Sequence, residues 1–179
     1  MKKLHFPYFL VCLISINLSC KNSTTSTQEK TVTDSIEETI AMAENVGVYD
    51  VLKDPAYVQQ VKELDLKCPN LNDPRIPFED REVAMEAWVA LNQNIGQHLL
   101  TKEFDWGTTA ETVKIWHRFY FNKDGSINSY YYNIMDKSIN EDTREAYGQR
   151  VSEIIQEHRI GFELDSAFAQ CGKMVFQVL

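Results

Sequence analysis

The segment "TVKIWHRFYFNKDGSINSYYYNI", residues 112–134, decides the fold of this chain. One set of alternate positions consists of Val113, Ile115, His117, Phe119 and Phe121, and the positions between them are Lys114, Trp116, Arg118 and Tyr120. This period of two is typical of a β-strand. "NKDG" then forms a tight turn in which Gly125 suits a positive φ. Residues 126–134 return as a second strand, so the segment predicts a β-hairpin.

Helical patterns lie on both sides of the hairpin. Residues 79–100 carry one apolar stripe, and residues 140–159 begin with Asn140 as a helix cap. Further upstream, residues 54–64 begin with a capping Asp followed by Pro, and residues 34–46 have apolar side chains at helical spacing. The apolar stretch "KMVFQVL", residues 173–179, predicts a last strand.

The hairpin and its surroundings resemble the C-terminal domain of TonB-type energy transducers. Asp124, Gly125 and Ile127 match the "D-G-x-I" part of that family's hairpin motif, and Phe162 and Gly172 match its later aromatic and glycine positions. The resemblance covers residues 80–179. It implies an α+β domain with a three-stranded antiparallel sheet packed on two helices, here preceded by N-terminal helices.

The same resemblance implies a binding role. Members of the TonB family pair an extended peptide of a partner with an exposed sheet edge, which is strand addition. The implied partner-binding edge in this chain is the last strand. It consists of Lys173, Met174, Val175, Phe176, Gln177, Val178 and Leu179.

The amino end indicates export. Two lysines followed by a short apolar stretch are typical of a secretory leader, predicted over residues 1–19. The junction "LSC" at residues 18–20 resembles the lipobox of bacterial lipoproteins, which implies cleavage before Cys20 and diacylglycerol on its sulfur. Several acyl chains give stable membrane anchoring. Two alternatives are secretion with a free Cys20 and a short buried helix at the amino end.

A domain plan follows from these patterns. Residues 20–34 are predicted to be a flexible Ser/Thr-rich tether, residues 35–78 a helical extension with a Pro-rich connector, and residues 79–179 the TonB-like domain. A tether of about fourteen residues reaches roughly 20 Å. A lipid anchor on so short a tether argues against an energy transducer, which needs a membrane-spanning helix and a long spacer. Lys21 after the cysteine favours the outer membrane, with the domain facing the periplasm.

The net charge bears on the class of partner, and the cysteines bear on disulfide formation. The formal net charge of −8 argues against nucleic acid as a partner. Cys68 and Cys171 remain in the exported part besides Cys20. In an oxidising compartment they form one possible disulfide, and the alternative is two separate buried thiols.

The motifs predict a binding module without catalytic residues, cofactor or metal. His98, His117 and His158 have no zinc-ligand spacing, and we assign them structural or surface roles. The three consecutive tyrosines at 130–132 suggest sheet faces packed under helices; the alternative is an exposed aromatic platform. We therefore expect a lipid-anchored protein-binding or scaffold domain whose partners are the membrane and other envelope proteins or peptides. The alternatives are an envelope lipoprotein with an enzymatic or small-ligand pocket, marked by His117 and a carboxylate in one cavity, and a purely structural spacer.

Overall fold

A computed structural model describes residues 46–73 and 81–178 of the chain. The elements are four strands and three helices in this order: β1 (Gly47–Asp50), α1 (Pro55–Lys67), α2 (Arg81–Thr101), β2 (Thr112–Phe121), β3 (Ile127–Ile134), α3 (Glu141–Ile155) and β4 (Phe168–Gln177). Residues 34–45 of the helix predicted over residues 34–46, the predicted lipidation site Cys20 and the terminal Leu179 lie outside the described residues, and Val46 is not helical.

The hairpin of β2 and β3 is confirmed. The two strands pair antiparallel with Phe119 opposite Tyr130, and a register shift falls at Tyr120 and Phe121. Gly125 has a φ of 77° in the turn. Asp124 stabilises the turn because its carboxylate accepts hydrogen bonds from the backbone N–H and the hydroxyl of Ser126. The hydroxyl of Ser126 and the other bonds to this carboxylate, including one from Arg159, lower the pKa of Asp124 to about 2.

The predicted three-stranded antiparallel sheet on two helices is wrong. The sheet has four strands in the order β1-β3-β2-β4, and β1 pairs with β3 in parallel. The fold is α+β with a mixed sheet and three helices. A strand of four residues has too few positions to show a period of two, and its partner lies far along the chain, so local patterns did not reveal it.

The main core lies between one sheet face and the helices α2 and α3. The side chains of Phe119, Tyr130 and Tyr132 point to this face and are buried. Some aromatic rings of this core pack edge to face, as for Trp88 against Phe119, whose ring centroids are 5.5 Å apart, and others are stacked, as for Tyr130 and Tyr132. Successive side chains of β2 therefore point alternately to this core and to the opposite face of the sheet.

Helix α1 covers the opposite face. Asp54 caps the helix by accepting a hydrogen bond from the N–H of Ala56 at 2.8 Å. Below the helix lie Tyr120, Tyr131 and Ala169, which form a second, smaller cluster with Cys68. Because Tyr131 is buried here and Tyr130 and Tyr132 are buried in the main core, the tyrosine run is packed on both faces, as predicted.

The predicted bond between Cys68 and Cys171 is not formed. Cys68 is a buried free thiol at the end of α1. It packs with Tyr120 and Tyr131, and the sulfur of Cys171 accepts a hydrogen bond from the amide of Asn70 at 3.5 Å. Burial, together with the charge of Asp65, raises the pKa of the Cys68 thiol.

Candidate functional site

A groove of about 750 Å³ lies between the outer edge of β1 and helix α3. One wall is a stripe of α3 that runs from Glu141 to Gln156. The other wall contains Tyr49, Leu52 and Tyr57 from β1 and the start of α1. At 1.5 Å per residue, this stripe is about 22 Å long, which is the length of an extended peptide of six or seven residues.

The backbone of Val48 points into this groove. In a parallel pair, alternate residues of a strand direct both backbone groups toward the neighbouring strand. The N–H of Val51 donates to the carbonyl of Tyr132 at 2.9 Å, so the odd-numbered positions of β1 face β3. The N–H and the carbonyl of Val48 therefore face away from the sheet, along the groove that Val48 lines.

The adjacent outward-facing residue, Val46, is held by a side chain. Its N–H donates to Oε1 of Gln156 at 2.9 Å, and Nε2 of Gln156 donates to its carbonyl at 3.4 Å. Gln156 is the C-cap of α3. The carboxyl end of α3 is thereby attached to the beginning of β1.

A charged pair forms the floor of the groove at its other end. Nη1 of Arg144 lies 3.6 Å from Oδ2 of Asp50, and both side chains are largely buried. Nη2 of Arg144 also donates at 2.9 Å to the carbonyls of Ile134 and Asp136. Because a buried guanidinium needs such acceptors, this network fixes the first turns of α3 against the ends of β1 and β3.

The mouth of the groove at this end carries exposed charged side chains and aromatic surface. Lys53 reaches Glu145 at 3.4 Å and Glu141 at 4.0 Å, and all three side chains are more than half exposed. The rings of Tyr49 and Tyr57 pack with centroids 4.9 Å apart. The groove therefore offers a peptide exposed ionic partners on one wall and aromatic surface on the other.

Tyr132 joins the floor of the groove to α3. Its hydroxyl donates to the carbonyl of Arg144 at 2.7 Å. Burial, together with the nearby charge of Asp50, raises the pKa of Tyr132. A Cβ atom added to Gly148 would lie 2.7 Å from this hydroxyl oxygen, so glycine permits the close approach of α3 to β3.

The sequence-predicted edge lies on the opposite side of the sheet. Residues 173–177 belong to β4, which is the outer strand next to β2. Ala169, near the start of β4, is paired on its outer side, since its N–H donates to Pro69 and its carbonyl accepts from Leu71 at 2.9 Å. The first part of β4 is therefore already hydrogen-bonded on its outer side to residues 69–71.

His117 lies in the aromatic core and does not line the groove. Its ring is 5.2 Å from that of Trp88, and burial alone lowers its pKa to about 3. A second cavity, of about 300 Å³, is lined by Trp106 and Phe176 at the other end of the sheet. Neither cavity brings His117 together with a carboxylate.

His98 and His158 lie apart from the groove. Nε2 of His98 on α2 lies 2.9 Å from a carboxylate oxygen of Glu153 on α3, and His158 follows the end of α3. Within residues 46–73 and 81–178, no group of three or more His, Cys, Asp or Glu side chains is arranged to hold a metal ion. In the same part of the chain, none of the helices combines the length and apolarity needed to cross a membrane.

Comparison with known proteins gave no match. None of the protein-family models, curated proteins or solved structures matches this chain. The resemblance to TonB C-terminal domains accordingly rests on the sequence motifs alone.

The sequence analysis did not predict the groove because it did not predict β1, the strand that forms part of the groove. "GVYD" at residues 47–50 has only Val48 and Tyr49 as strand-favouring residues. The only local signal was the following Asp54-Pro55 helix start, which requires a non-helical segment before it. Gln156 gave no signal at all, because its contact with Val46 spans 110 positions in sequence.

Proposed function

We propose that this chain is a lipid-anchored envelope protein that captures an extended segment of another protein by strand addition at β1. The observation that carries the proposal is the outward-facing N–H and carbonyl of Val48 beside a groove of about 750 Å³. Backbone hydrogen bonds to β1 would supply affinity, and the groove walls would select side chains. No step of covalent chemistry is required of the groove residues.

The two walls favour different side chains. Successive residues of an added strand point to opposite faces. One set would meet the polar stripe of α3, with Gln149 and Ser152, and the other would meet Tyr49, Tyr57 and Leu52. Alternating polar and apolar residues in the bound segment satisfy both walls.

The edge of β4 is the second candidate for capture. The sequence-based proposal for Lys173 to Leu179 uses the same mechanism on the other side of the sheet. The pairing of Ala169 with the segment at Pro69 and Leu71 shortens the length of this edge that a partner can use. We therefore favour β1.

Anchoring is part of the proposal and depends on Cys20. In this proposal, residues 1–19 are removed, Cys20 carries the acyl chains, and residues 20–34 connect the anchor to the domain, which faces the periplasm from the outer membrane. Mass spectrometry of the membrane fraction tests it: the expected mature protein begins at an acylated Cys20, and Cys20→Ala leaves the membrane fraction. An unmodified Cys20 would contradict the anchor.

Crosslinking in cells identifies the captured segment. A photoreactive amino acid replaces Gln149, which lines the groove, or Glu86 as a matched control, which is exposed on α2. We expect a crosslinked partner peptide from position 149 only. A synthetic copy of that peptide then serves as the probe for binding to the full chain.

Two proline variants separate the two edges. Val48→Pro and Lys173→Pro each remove one outward backbone N–H from an edge strand, where proline is tolerated. We expect Val48→Pro to weaken binding of the peptide at least about ten-fold, whereas Lys173→Pro leaves it unchanged. The reverse pattern would assign the site to β4, and no loss with either variant would contradict strand addition. Thermal unfolding checks that both variants fold.

A further inference from the structure

The side chain of Gln156 lies where the backbone of a further strand would lie. Its Oε1 accepts from the N–H of Val46 at 2.9 Å, and its Nε2 donates to the carbonyl of Val46 at 3.4 Å. A residue of a neighbouring strand offers the same acceptor and the same donor to an edge residue. The carboxamide of Gln156 therefore occupies the place of one strand residue on the edge of β1.

The position of this carboxamide is fixed from the helix. Its Nε2 also donates to Oγ of Ser152, one turn earlier on α3, at 2.9 Å. Gln156 nevertheless remains exposed, and an exposed hydrogen bond of this kind contributes little net free energy. The carboxamide is thus held in place by the helix, while its hydrogen bonds contribute little to the stability of the fold.

An edge without this side chain would be open to a second copy of the chain. Val46 and Val48 direct their backbone groups to the same side, two residues apart. Two such edges pair antiparallel around a two-fold axis, because the same surface is then used by both copies. The short edge of β1 has no proline and no lysine that would discourage this pairing.

We propose that Gln156 is an edge cap that keeps β1 of one copy from pairing with β1 of another. The inference rests on the proposed function in two respects, since both use the outer edge of β1 and the argument from local concentration takes the chain to be lipid-anchored. A protein held at a membrane surface meets copies of itself at high local concentration. An edge that is reserved for a partner strand therefore requires a device against self-pairing.

The test compares the full chain with Gln156→Ala and with Gln149→Ala. Gln149 lies on the same wall of the groove, and its side chain makes no hydrogen bond to the described part of β1, so it is the matched control. Sedimentation in a density-matched detergent measures the oligomeric state. Hydrogen exchange of the backbone amides of Val46 and Val48, followed by NMR, locates the contact.

We expect wild type and Gln149→Ala to be monomeric, with the Val46 amide exchanging more slowly than that of Val48. At low concentration, Gln156→Ala should speed exchange at Val46 about five-fold. At high concentration it should dimerise and protect the Val48 amide. A variant that stays monomeric, or one whose Val46 exchange is unchanged, would overturn the cap. Because this test uses no partner peptide, its result is independent of whether β1 captures one.

Discussion

The guanidinium of Arg118 on β2 lies 2.6 Å from the carboxylate of Asp65 on α1. The hydroxyl of Tyr120 donates to the same carboxylate and, at 3.0 Å, to the carbonyl of Val61. Helix α1 has no fully buried residue of its own. The polar contacts of Asp65 are therefore a main attachment of α1 to the sheet.

Replacing Asp65 should destabilise the fold. Asp65→Asn leaves the nearly buried guanidinium of Arg118 without its carboxylate partner, and we expect a loss of about 2 kcal/mol, less than for a fully buried pair because Asp65 is partly exposed. Urea unfolding measures the change. Glu63→Gln, on the exposed side of the same helix, should change stability by less than about 0.5 kcal/mol. Equal losses in the two variants would contradict the role of Asp65.

His117 should make the fold sensitive to acid. Burial lowers its pKa from 6.5 to about 3, so between these values the unfolded chain takes up a proton that the folded chain does not. The free energy of unfolding therefore falls as pH drops, by up to about 1.4 kcal/mol per pH unit from this residue. In His117→Leu, the free energy of unfolding should fall less steeply with decreasing pH, by this amount per pH unit. Parallel slopes for wild type and variant between pH 6 and 4 would refute the assignment.

The close approach of Gly148 to Tyr132 predicts a coupled pair. An added Cβ would lie 2.7 Å from the hydroxyl oxygen, so Gly148→Ala should cost about 1–3 kcal/mol. Tyr132→Phe removes that oxygen, and the double variant should recover much of the loss. A double-mutant cycle by denaturant unfolding measures the coupling. Strict additivity of the two changes would show that the hydroxyl is not the obstacle.

Two turn glycines should differ in their tolerance of alanine. Gly125 and Gly161 have φ values of 77° and 86°, so each replacement incurs backbone strain. A Cβ on Gly125 would also lie 2.5 Å from the carbonyl oxygen of Phe162, whereas one on Gly161 meets nothing within 4 Å. We expect Gly161→Ala to cost about 1 kcal/mol and Gly125→Ala at least about 2 kcal/mol more. Thermal unfolding compares them, and similar losses would contradict the steric argument.

The elements that sequence patterns predicted are those with local signals. The hairpin was predictable because the alternation continues from Val113 to Phe121 and the turn contains Asp-Gly. The helix predicted for residues 140–159 is α3, which ends at Ile155. The last strand was predicted to begin at Lys173, but it begins at Phe168. The prediction started too late because Gln170 and Gly172, which face the core, interrupt the apolar pattern of the strand.

The candidate site could not be predicted for a different reason. The groove forms from β1 and α3, and its decisive contacts join residues that are distant in sequence, such as Val46 with Gln156 and Asp50 with Arg144. No residue in these pairs belongs to a recognisable motif. These residues form the groove only because the folded structure brings them into contact.

The parallel pairing of β1 with β3 has a consequence for the order of folding. It joins residues about 80 positions apart, and such distant contacts form slowly because a long loop must close first. The hairpin can form from its own residues, but the wall of the groove needs α3 as well. During synthesis, β1 is made before β3 and α3, so it is unpaired until both have followed. At that stage β1 has both edges open, and the chain is then most exposed to aggregation or to a chaperone.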